Sequence, residues 1–125
     1  MNDHKGRRYL TDLRLITCIV ERGRSDEVVK AALRAGAPAA TISFARGSGI
    51  RERLGLLLKV AISPEKEVID VVVSEAKADA VFEAMVDAGQ LELPGKGFIY
   101  MLPVLKAVTH VPTPEEVAAR RPTKS

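Results

Sequence analysis

The sequence predicts an α+β domain of the ferredoxin-like kind, a βαββαβ sandwich with a four-stranded antiparallel sheet and two helices on one face. Three observations carry this prediction. Short runs rich in β-branched residues recur along the chain, among them Leu13–Val20 and Glu67–Val73. Two stretches of helical periodicity lie between such runs, and each stops at a glycine, Gly36 or Gly89. The order strand, helix, strand, strand, helix, strand is that of a split βαβ repeat.

Each element has its own signals. Leu13–Val20 (LRLITCIV) is apolar, β-branched and short, and Glu21-Arg22-Gly23 ends it. Ser25 offers an N-cap, with Asp26 and Glu27 in the first turn, where negative charge complements the helix dipole. Val28, Val29, Ala32 and Leu33 then recur at helical spacing up to Gly36, a natural C-terminal stop. Thr41–Ala45 (TISFA) is a second strand, closed by Arg46-Gly47-Ser48-Gly49. Leu56–Ile62 and Glu67–Val73 are both strand-like, with Ser63-Pro64-Glu65-Lys66 between them as turn chemistry. They read as a hairpin, and the charges around Pro64 as a solvated turn. Glu75–Ala88 is an Ala-rich helix with Ala78, Val81, Phe82, Met85 and Val86 along one stripe. Pro94-Gly95-Lys96-Gly97 opens a last strand, Phe98–Val104. Thr113 and Pro114 start a short helix, with Thr as cap and Pro at its first position. The division that results is a flexible N-terminal segment 1–11, a folded domain 12–110 and a flexible tail 111–125.

Composition narrows the function classes. At 125 residues the chain is one domain, long enough to bury a core. The net charge is +3, and much of the excess lies near the ends, at Lys5, Arg7, Arg8, Arg120, Arg121 and Lys124. Basic ends attract polyanions. Aromatic residues are only 4% of the chain, however, and there is no Trp, so stacking platforms for bases are few and nucleic acid is not an expected partner. No apolar run has transmembrane or signal-peptide length, so the reading is cytoplasmic and not membrane-spanning. Cys18 is the single cysteine, which excludes a disulfide within the chain; it reads as a small buried hydrophobe. No nucleophile–His–acid set stands out, and His4 has no partner at metal-ligand spacing, so neither catalysis nor a metal is expected.

The two glycine turns carry the functional signal. Glycines let backbone come close to a ligand, and successive N–H groups form anion-binding hollows. Arg46 and Lys96 add charge beside them. In a split βαβ fold the second strand ends where the fourth begins. Both turns therefore lie at one end of the sheet, on opposite edges about 14 Å apart at ~4.8 Å per strand. A mononucleotide bridges part of that gap, or a neighbouring protomer closes it.

From here the chain resembles the PII nitrogen-regulatory signalling proteins, over roughly residues 13–106. The resemblance runs through LRLITCIVE, SDEVVKAALRAG, TISFARGSG, ISPEKEVIDVVVSEAKADAVFEAMVDAG and PGKGFIYMLPV; no one of these is a strong motif, but their order and spacing are specific. It implies a homotrimer that binds an adenine nucleotide (ATP, ADP or AMP) between protomers. A long mobile loop after the second strand would act on a partner protein such as a membrane transporter or a metabolic enzyme. By position, Gly47, Ser48, Gly49 and Arg51 match the base of that loop, and Gly95 and Lys96 match the phosphate-facing turn. Ile19 and Thr41 fall where the family contacts the base. Arg51, Arg53, Leu54 and Leu56 form the stretch offered to a partner. The family's two arginines after the last strand fall at Ala107 and Thr109, and the adjacent Lys106 and His110 stand in for them.

The chain also departs from the family. There is no Tyr between Arg46 and Lys66, so uridylylation is not expected. Gly49-Ile50-Arg51 lacks the Gln that helps hold magnesium and 2-oxoglutarate, so the resemblance does not carry those ligands over. Two alternatives follow. One is a trimeric metal-tolerance protein of the CutA kind, which calls for longer strands and more aromatics. The other is a small-molecule-binding module without a nucleotide.

Overall fold

A computed structural model describes residues 7–47 and 64–119. In chain order the elements are β1 (Tyr9–Leu10), β2 (Leu13–Glu21), α1 (Ser25–Ala35), β3 (Thr41–Arg46), β4 (Glu65–Ser74), α2 (Glu75–Gly89), β5 (Gly97–Val104), β6 (Ala107–Val108) and α3 (Pro114–Ala119). The chain divides into two compact units, one of residues 12–104 and one made from its two ends.

In the larger unit the sheet order is β3-β4-β2-β5, and every neighbouring pair is antiparallel. This is the ferredoxin-like arrangement read from the sequence. The two-residue period of a strand sends alternate side chains to opposite faces. One face holds Ile16, Cys18 and Val20 of β2 and Ile69, Val71 and Val73 of β4, all buried. Val28 and Ala32 of α1 and Ala78, Val81 and Met85 of α2 close over them. Burial pushes the Cys18 thiol up to about 12, so it packs as a hydrophobe and does not ionise near neutrality.

Several expectations change. β4 begins at Glu65, inside the expected turn, and from Lys66 to Asp70 it pairs with β3 on one side and β2 on the other. The hairpin partner expected from Leu56–Ile62 lies outside the described residues. Ser25 is not the N-cap of α1. Arg24 holds that position without a side-chain hydrogen bond, and Ser25 is the buried first helical residue. Ala31 rather than Leu33 turns inward, Leu33 being exposed. α2 does end at Gly89, which is buried against Leu91 and Val28, but Gln90 rather than the glycine takes the left-handed turn, at φ 53°. Gly36 does stop α1, at φ 120°.

The terminal unit holds β1, β6 and α3. β1 and β6 pair antiparallel, Tyr9 opposite Val108. The ammonium of Lys106 lies 4.9 Å from the centre of the Tyr9 ring. α3 starts on a capping box: Glu116 N–H donates to Thr113 Oγ1 (3.1 Å), and Thr113 N–H donates to Glu116 Oε1 (3.3 Å).

Candidate functional site at one end of the sheet

Register places the two glycine turns together. Arg46 lies opposite Glu65, Lys66 opposite Glu21, and Val20 opposite Gly97. The end of β3, the start of β4, the end of β2 and the start of β5 therefore share one rim of the sheet. Gly47 and Gly95 stand at its two edges.

The β3 side of this rim is fastened by polar contacts. Gly47 N–H donates to the Pro64 carbonyl at 2.8 Å. Arg22 reaches Glu65 twice, its backbone N–H donating to the carbonyl at 3.2 Å and its guanidinium to the carboxylate at 2.7 Å. Ser25 N–H donates to the Glu67 carboxylate at 3.0 Å. Glu67 is thus the side chain that caps α1, supplied from a strand 42 residues further along. It is 7% exposed. Its carboxyl is held below the usual carboxylate range by the Ser25 hydroxyl above all, with the N–H groups of Ser25 and Gly23 and the charge of Arg22 adding to this and burial opposing it.

The β5 side is fixed by sterics. Gly95 has φ 75° and Gly97 φ 150°. A Cβ on Gly97 would sit 2.3 Å from the Ile19 carbonyl oxygen, closer than any side chain can approach. Only glycine lets β5 start here against β2.

Among the described residues, two clefts lie on the rim. One, of about 20 Å³, is lined by Ile19, Val20, Glu21, Lys66, Gly95, Lys96 and Gly97. The other, of about 280 Å³, is lined by Arg22, Phe44, Ala45, Glu65 and Lys66. Lys66 lines both and joins them along the sheet end. Further along the sheet, on the face away from the helices, Thr17 donates its hydroxyl to Asp70 at 2.7 Å, and Thr41 is opposite Asp70 in register.

The structure brings Ile19, Gly95 and Lys96 to one cleft and Gly47 to the same rim. Thr41 is at the other end of β3, about 20 Å from Gly47 at ~3.4 Å per residue. Lys106 and His110 belong to the terminal unit, where Lys106 meets Tyr9 and His110 meets Glu116 at 2.7 Å. Ser48, Gly49, Arg51, Arg53, Leu54 and Leu56 lie outside the described residues. Two residues of the rim escaped the sequence reading as site residues: Arg22 and Lys66. Lys66 and Asp70 share the period-two row Lys66-Val68-Asp70, a signal hidden by the assignment of Lys66 to a turn. Among the described residues no group of three His, Cys, Asp or Glu is placed to hold a metal, and no helix is long and apolar enough to cross a membrane.

Comparison with known proteins fits this geometry. The family model for nitrogen regulatory protein P-II matches residues 13–112. The chain belongs to the P-II family. P-II proteins are signalling regulators that take small-molecule effectors and assemble as trimers. Among solved structures the chain is similar to PII of Arabidopsis thaliana, crystallised with citrate bound, at TM-score 0.56 and 22% identity over 76% of this chain and 77% of that one. At that identity the likeness speaks for the fold. A comparison with curated protein sequences finds no matching relative.

Proposed function

We propose that this P-II protein is a homotrimer that binds an adenine nucleotide between protomers, at the rim shared by the two glycine turns, and that a partner protein reads its occupancy through the segment 48–63. The observation that carries this reading is the convergence of Gly47, Gly95, Lys96 and Lys66 on one end of the sheet. The gap between the turns, three strand spacings or about 14 Å, favours a second protomer as the closing wall. The face of the sheet away from the helices supports the assembly, since Val72, Phe98, Tyr100 and Leu102 are exposed there. Phosphates would sit against Lys96 and the glycine turns. The base would lie along the sheet towards Ile19 and Thr41. Ser48, Gly49 and Arg51 would complete the phosphate end. Arg53, Leu54 and Leu56 would meet the partner, a transporter or a metabolic enzyme.

Calorimetric titration with ATP, ADP and AMP tests this directly. Binding by at least one of them is expected, and Lys96→Ala should weaken it by about 1.5–3 kcal/mol, the range for a hydrogen bond to a charged group. No heat from any of the three at millimolar ligand would end the nucleotide reading. Light scattering tests the trimer separately, a monomer removing the inter-protomer site.

A further inference from the structure

The larger cleft is lined by residues of one chain. We infer that it is a small-anion site at which Arg22 exchanges the Glu65 carboxylate for a phosphate or carboxylate group of a ligand. Its volume of about 280 Å³ lies just below the ~300–1,000 Å³ typical of drug-sized pockets, which suits a small anion rather than a whole nucleotide. Arg22 and Lys66 bring basic side chains to its lining, beside the carboxylate of Glu65. Phe44, 76% exposed, adds an apolar wall.

Arg22 is built to change partner. Its side chain and that of Glu65 are 65% and 54% exposed, and pairs this open are weak and screened by salt. A guanidinium offers a planar fork that matches phosphate and carboxylate equally well. The exchange need not loosen the chain, because the backbone hydrogen bond from Arg22 N–H to the Glu65 carbonyl does not involve either side chain. Glu65 is therefore an internal competitor of the ligand.

Competition gives two substitutions opposite signs. The full chain is titrated calorimetrically at low salt with inorganic phosphate and with citrate, which separates the two anion chemistries. Arg22→Gln should weaken the bound anion about tenfold. Glu65→Gln should tighten it about two- to fivefold, since it removes a competitor held by an exposed pair. Arg22→Lys keeps the charge but loses the fork, and should fall between wild type and Arg22→Gln. A purely structural ion pair moves Arg22→Gln and Glu65→Gln in the same direction, which would overturn the proposal. So would the absence of binding by either anion to wild type and to Glu65→Gln. Titration in a Lys96→Ala background separates this site from the nucleotide reading: the opposite effects of Arg22→Gln and Glu65→Gln on phosphate and citrate should persist there, and their disappearance would assign the anion to the glycine turn instead.

Discussion

The two walls of the candidate site sit on one rim of one sheet yet are held by different physics. On the β5 side, Gly97 has φ 150° and no room for a Cβ beside the Ile19 carbonyl. On the β3 side, among the described residues, a Cβ on Gly47 would meet only the flexible Lys66 side chain, at 3.4 Å. That wall is kept in place by hydrogen bonds and charges through Pro64, Glu65 and Glu67. A steric wall is insensitive to pH, salt and ligand. A wall of charges responds to all three, and the pair that faces the larger cleft belongs to it.

Substitution at Gly97 gives the largest expected effect. Gly97→Ala drives a methyl into backbone that cannot move without unpairing β5 from β2. It should lower unfolding free energy by more than about 3 kcal/mol in urea denaturation. A loss under about 1 kcal/mol would show that the β5 wall is not sterically fixed and would erase the contrast.

Glu67 comes next. Glu67→Ala strands the N–H groups at the start of α1 and should lose about 1–3 kcal/mol at neutral pH. The pH dependence has a definite sign. The folded-state carboxyl is lowered from its ordinary value near 4.5, so its contribution is complete above that value and drains away as pH falls through and below it. Denaturation midpoints from pH 7 to 3 should fall less steeply for Glu67→Gln than for wild type. Parallel curves would mean that Glu67 does not couple β4 to α1 by its charge.

Gly47→Ala gives the smallest effect, within about 0.5 kcal/mol in the same denaturation experiment, as for an unconstrained surface position. A loss comparable to that of Gly97→Ala would make the two walls alike.

The placement of the two glycine turns was legible in the sequence. The order of elements put both glycine turns at one end, and Gly95 and Lys96 line a cleft there. Turn chemistry around Pro64 misled, because Ser, Pro and charged residues favour a turn locally while pairing on both edges extends β4 back to Glu65. Ser25 misled for a related reason. It has the right side chain for a cap, but Glu67 already supplies the acceptor at that helix end. Gly89 does stand where α2 ends, but Gln90 takes the left-handed turn, and the missing side chain of Gly89 makes room for Leu91 and Val28.

The sequence by itself determined the element order, the apolar faces of β2, β4 and α2, and the presence of two ligand-friendly turns. These depend on periodicity and on backbone sterics between near neighbours. Tertiary structure alone decided that Arg22 meets Glu65, that Glu67 caps α1, and that Gly97 rather than Gly47 is the glycine that cannot be replaced. Each of those depends on strand register, which brings together groups far apart in the chain and fixes how closely two backbones approach.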